Sequence, residues 1–307
     1  MNFKVLTIIT SCCLLMISLS ACIDNSNDTS ISVNQDGSAD FITIQSAIDA
    51  AQENATISVS KGVYTENIFI NKSLTINGAN PENTIIDGNR TKDVIYIEKE
   101  AKVTLTGFTI RNSGTEYNYP DYDAGIDIHS SYNTIKNNII MNNSNGIFST
   151  YSMSNNYTNN IFHGNSEYGI YLYSVSNGNN VTSNIFTDNS YGLRIKGSQK
   201  NTVTKNSFKE NKRGLYFCCG ATNNLVYHNN FINNSMWHGS DYVGGNHWYN
   251  EYPIGGNYWN DYNGNDTYSG IDQNITSSDG IGDTIYEVTN DKTKIDKYPL
   301  MKPITID

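Results

Sequence analysis

The feature that most limits what this chain can fold into is a short repeat. The stretch "NTIKNNIIMNNSNGI", from Asn133 to Ile147, returns as "NNYTNNIFHGNSEYGI", "NNVTSNIFTDNSYGL", "NTVTKNSFKENKRGL" and "NNLVYHNNFINNS". Asn133, Asn155, Asn179, Asn201 and Asn224 head the units at steps of 22, 24, 22 and 23 residues. Two more asparagine columns keep step, at Asn138, Asn160, Asn184, Asn206 and Asn229, and at Asn143, Asn165, Asn189, Asn211 and Asn234. Apolar columns run alongside (Ile135, Tyr157, Val181, Val203, Val226; Ile140, Phe162, Phe186, Phe208, Phe231), as does a glycine column from Gly125 to Gly214. Units this short, with apolar residues at period two and no piece long enough for a helix, predict one turn of a parallel β-solenoid per unit. Stacked turns lie about 4.8 Å apart, so like residues sit above one another. Asparagine suits this in two ways: it tolerates the left-handed backbone of a sharp corner, and stacked amides can hydrogen-bond from turn to turn.

Residues 40 to 110 continue the pattern without the asparagines. A helical segment, Thr43 to Glu53, places Ile44, Ala47, Ile48 and Ala51 on one face and is expected to cover the first coil. Short strands follow: "TISVS", "NIFI", "LTI", "TIIDG", "VIYIE" and "VTLTGFTI". The expected fold is all-β, a single parallel β-helix over residues 40–242, with an aromatic cap and acidic tail over 243–307.

A formal charge of -10, with only 20 Lys plus Arg among 307 residues, argues against a nucleic-acid binder, which needs a basic footprint. Hydrophobic content of 37% alongside 22 tyrosines suits a thin solenoid, in which each coil buries only a few side chains. The opening "MNFKVLTIITSCCLLMISLSAC" reads as an export signal over residues 1–21. Its Leu19-Ser20-Ala21-Cys22 resembles a lipobox, which implies lipid on Cys22 and a membrane-anchored protein at the cell surface or in the periplasm. Residues 22–39 read as a polar tether. Removal of the signal leaves Cys218 and Cys219 in the mature domain, too few for a disulfide framework.

The stretch from residue 40 resembles the N-terminal part of pectate-lyase-like right-handed parallel β-helices. The Asn-rich units resemble NosD-type repeats of carbohydrate-binding and sugar-hydrolysing solenoids. In the tail, "GGNYWNDY", "DGIGDTIYEV" and "DKYPLM" are similar to the closing signature of archaeal NosD-like surface proteins, so the likeness runs from about Asp40 to Pro303. It implies a right-handed helix. It also implies a copper-handling role as one alternative, because NosD proteins assist assembly of a copper site.

Four constellations could carry chemistry. The insertion "EYNYPDYDAGIDIH" supplies Asp121, Asp123 and Asp127, with Asp127 directed outward by strand alternation, as catalytic carboxylates for polysaccharide cleavage. Cys218, Cys219, His228, His238 and His247 offer thiolate and imidazole ligands suited to copper. The repeated motifs from Gly244 and Gly255 place Trp248, Tyr249, Tyr258 and Trp259 as an aromatic platform for sugar or as a cap on the last coil. Asp261, Asn263, Asn265 and Asp272 fit part of a calcium-loop template, with Asp279 and Asp283 downstream, so Ca²⁺ is a candidate cofactor. "HG" at His163 and "RIK" at Arg194 resemble polygalacturonase motifs, but the carboxylate pair that such hydrolysis needs has no counterpart upstream of His163. The expected function is non-catalytic binding of polysaccharide or cell-envelope glycan, with copper handling and polysaccharide cleavage as alternatives.

Overall fold

Within each unit the apolar residues alternate over three short runs, and each run forms one strand of a three-sided coil. The structure, a computed structural model, describes residues 30–118, 121–289 and 292–306. Its strands stack into three parallel sheets of nine, nine and eight strands. The chain is a right-handed parallel β-helix. Register follows the sequence columns. In the first sheet Ile135 pairs with Tyr157, Val181, Val203 and Val226 in succession; in the second Ile140 pairs with Phe162, Phe186, Phe208 and Phe231; in the third Ile126 pairs with Ile147, Ile170, Leu193 and Leu215. All fifteen are fully buried. Phe162, Phe186, Phe208 and Phe231 stack face to face at 4.8, 4.7 and 5.0 Å, and Trp259 continues the stack 4.4 Å beyond Phe231. Each such ring contributes roughly 1.5–3 kcal/mol through burial. The glycine column leaves room for these rings: a Cβ on Gly169 would lie 2.7 Å from the Phe186 ring and 2.5 Å from the Gly192 carbonyl oxygen.

The asparagines form three buried ladders, one at each corner. In every step the side-chain oxygen of one Asn accepts the backbone N–H of the Asn one coil earlier, and in most steps its side-chain amide as well. Asn-to-Asn donation therefore runs toward the C-terminus, while most of the amides also donate to a carbonyl of the preceding coil, and the last Asn of each ladder needs an acceptor from outside the repeat. Asn246 donates to Asp241, Asn257 to Asp296, and Asn234 to Nδ1 of His238. The left-handed residue at each corner is the one before the ladder Asn: Asn137, Asn159, Ser183, Lys205 and His228 in one column. The ladder Asn is thus selected for its buried amide, and the left-handed position accepts many residue types.

The solenoid is longer than expected at both ends. Ser30–Val33, inside the stretch read as a tether, pairs in parallel with Thr56–Val59 and fully buries Val33. A single alternating "SISV" suffices here because the edge of the next coil satisfies its backbone groups. At the other end Tyr258–Trp259 adds a strand to the second sheet beside Asn230–Phe231. The helix spans Ile44–Ala50, with Thr43 as its N-cap, and buries Ile44, Ala47 and Ile48 over the first coil. The export signal and Cys22 lie outside the described residues.

Candidate functional site

The outer face of the third sheet carries the densest collection of aromatic and charged side chains. Strand alternation directs Phe69, Tyr96, Asp127, Phe148, Tyr171, Arg194 and Tyr216 outward in one column, each beside its counterpart one coil away. A parallel column holds Tyr168, Tyr191, Arg213 and Trp237, and another holds Tyr173 and Lys196. The Arg194 guanidinium lies over Tyr171 at 4.9 Å, Tyr168 at 5.4 Å and Tyr216 at 5.5 Å. Arg213 covers Tyr191 at 4.5 Å and approaches Trp237 at 5.9 Å, while Lys196 covers Tyr173 at 4.9 Å. Among the described residues none of these three cations has a carboxylate within 4 Å. Tyr122, at the base of the insertion, packs on Phe148 at 4.9 Å and shields that end of the row.

Next to this row, toward the N-terminus, the face turns acidic. Asp127 points outward as expected but is only 5% exposed, with Nε2 of His129 at 3.0 Å from its carboxylate. Tyr96 stacks on the His129 ring at 4.9 Å. Asp93, one coil back, accepts the Ala124 N–H at 2.7 Å; burial, then the charge of Asp127, pushes its carboxyl up to about 8. Burial alone would lower the pKa of His129, but the hydrogen bond and charge of Asp127 raise it. Asp123 accepts the Glu116 N–H at 2.7 Å at the base of the insertion, and Asp121 begins the two-residue strand Asp121–Tyr122 beyond it. Asp93 escaped the sequence reading because it precedes the Asn-rich units and has no matching column there.

The remaining candidates are not assembled into the sites expected of them. Trp248 and Trp259 are each 1% exposed, with Trp259 pressed on Phe231 and Trp248 edge-on to Phe217 at 5.4 Å. They therefore close the core, and their faces cannot form a sugar platform; Tyr249 and Tyr258 remain half-buried beside them. Of the calcium candidates, Asp283 accepts the backbone N–H groups of Thr267 and Tyr268, Asp279 accepts from Gln273, and Asp261 from Tyr286. The Asn265 carbonyl accepts the Asp283 N–H at 2.8 Å, Asn263 and Asp272 are exposed, and among the described residues no three His, Cys, Asp or Glu side chains converge as metal ligands. The copper candidates are dispersed as well. Cys218 is buried on the third sheet, 3.6 Å from Arg194, and Cys219 is exposed; both are free thiols. His228 is tied to the Ile254 carbonyl, His238 faces Asp261, and His247 is exposed on the first-sheet side beside Leu225. His163 sits on the second sheet near Asp188, a different side of the coil from Arg194.

Pectinesterase 31 of Arabidopsis thaliana is 32% identical over 84 residues, 25% of this chain and 26% of that enzyme. Among solved structures, the ORF18 protein of Geobacillus virus E2 has a TM-score of 0.47 at 17% identity, covering 66% of this chain and 50% of its own. Pectin methylesterase from carrot has a TM-score of 0.35 at 14% identity, covering 70% and 86%. The chain thus spans about a quarter of the plant enzyme and half of the viral protein. No helix among the described residues is long and apolar enough to cross a membrane. The model of one family matches residues 44–264, most of the solenoid and the start of its cap, and the chain belongs to that family, described as the periplasmic copper-binding protein NosD.

Proposed function

We propose that this protein is exported, anchored through lipid on Cys22, and binds an anionic glycan along the outer face of its third sheet without cleaving it. The observation that carries this reading is the group Arg194, Lys196 and Arg213. These three cations lie over aromatic rings and have no carboxylate partner among the described residues, in a chain of net charge -10. Such a chain has acids to spare for pairing, and a cation held over rings and left without one favours an external carboxylate or sulfate. Flanking rings offer flat contact to sugar CH groups. Because strands repeat at about 4.8 Å, weak contacts recur along a polymer and combine. The test is retention on immobilised uronans and sulfated glycans. The triple variant Arg194→Gln, Lys196→Gln, Arg213→Gln should lose retention while its melting temperature moves little; undiminished retention would remove the reading.

Copper enters through the family description alone. The soft ligands present do not fit one centre: the adjacent Cys218 and Cys219 have no described histidine beside them, and the three histidines lie apart. No step is assigned to copper.

Polysaccharide hydrolysis is a second reading, favoured by Asp93 and Asp127. A carboxyl that holds its proton to about 8 near Asp127, which is hydrogen-bonded to His129, offers an acid beside a second carboxyl that could serve as base. If so, Asp93→Asn should abolish release of reducing ends from a bound polymer; no release by the wild-type protein from any bound glycan would leave binding alone.

A further inference from the structure

The third sheet ends one coil before the second, at Trp237–Asp241, and the cap folds across the space where its next strand would lie. Between them is a cavity of about 560 Å³, lined on the sheet side by Trp237, His238 and Ser240 and on the cap side by Asp261, Tyr286 and Lys294. It adjoins the cationic row directly, because Trp237 both lines the cavity and faces Arg213.

Its polar groups are set by the neighbouring ladder. The Asn234 side-chain oxygen accepts from Asn211, which fixes its amide nitrogen toward Nδ1 of His238 at 3.0 Å. That nitrogen is therefore the acceptor, and the neutral ring carries its proton on Nε2. Burial lowers the His238 pKa, which favours this neutral form, and the side chain is only 8% exposed. Nε2 stands 3.6 Å from the Asp261 carboxylate, too far for a good direct hydrogen bond. Tyr286 donates to the other Asp261 oxygen at 3.3 Å. Both residues line the cavity, where His238 can donate to one sugar hydroxyl and Asp261 can accept from another. Asp241, Asp261 and Glu287 outnumber Lys294 around the cavity, so an anionic group is disfavoured there. The chemistry is that of a neutral, hydroxyl-rich ring beside Trp237.

We propose that this cavity is a terminal subsite, which takes an uncharged sugar at the end of the same anionic chain that lies on the Arg194, Lys196 and Arg213 row. The inference rests on the glycan-binding reading and adds that the polymer is held by one end and in one direction, because the cap blocks passage beyond the cavity.

The test uses the full mature protein and three octasaccharides of the best-retained uronan: the unmodified octamer, one with the carboxyl of the non-reducing terminal residue reduced to the alcohol, and one so reduced at the reducing-end residue. Titration calorimetry should show one of the two modified octamers, and only one, binding about tenfold tighter than the unmodified chain. Asp261→Ala should shrink that difference to less than twofold. Equal affinity for all three octamers overturns the terminal subsite and leaves the row standing. Binding of none overturns both.

Discussion

The side-chain oxygen of Asn184 accepts both the backbone N–H and the side-chain amide of Asn160, at 2.9 and 3.1 Å, in an interior that no water reaches. Asn184→Ala removes that acceptor and leaves two buried donors unsatisfied, at roughly 1–3 kcal/mol each. A loss of about 3 kcal/mol is expected, read as a lower urea midpoint. Asn263→Ala, on the exposed cap, should stay within about 0.5 kcal/mol.

Phe186 lies between Phe162 and Phe208 with interplanar angles of 8° and 4°. Phe186→Ala opens a cavity in a stack that cannot collapse along the axis, because strand pairing fixes the coil spacing. The expected cost is about 3–5 kcal/mol by chemical denaturation. Phe186→Leu should cost clearly less, since most of the volume is kept.

Trp259 and Arg194 separate stability from binding. Trp259→Ala removes a ring stacked between Phe231 and Tyr286 and the indole donor to Asp296, 2.9 Å away. It should destabilise the protein by about 3–5 kcal/mol. Arg194→Gln should weaken retention on uronan columns while changing stability by about 1 kcal/mol or less. Equal losses of stability in the two variants would contradict this division.

Asp296 is fully buried, and burial pushes its carboxyl up to about 7 despite the donors from Asn257, Trp259 and Tyr298. A carboxyl raised on folding stabilises the protein below its unfolded pKa, near 4, and that contribution is lost as pH rises through the folded value. Asp93, raised to about 8, acts in the same sense. These two groups should therefore make the melting temperature fall between pH 5 and pH 8. Asp93→Asn and Asp296→Asn should each flatten that slope.

Cys219 is exposed, whereas Cys218 is buried and its thiol is raised by burial. Alkylation followed by mass spectrometry should label Cys219 first and Cys218 only slowly. Matching rates would show that the end of that strand opens readily.

The columns of Asn, Phe and Gly determined the coil, its register and its parallel stacking, because a repeat that shares one backbone path must place like residues in contact. Even the outward direction of Asp127 was legible, since alternation on a strand has period two. The ends were not: "SISV" becomes a strand only because another coil edge receives it, and Trp248 and Trp259 could equally have faced sugar or core until Asp296 and Tyr286 closed over them. The candidate site was legible only in fragments. Arg194 and Arg213 lie 19 residues apart in sequence, and Asp93 and Asp127 lie 34 apart. What makes each a pair is the winding of the chain, which brings adjacent coils to within about 4.8 Å on one face. Short-range pattern fixed the strands, whereas the tertiary structure decided which side chains share a surface and which are sealed beneath the cap.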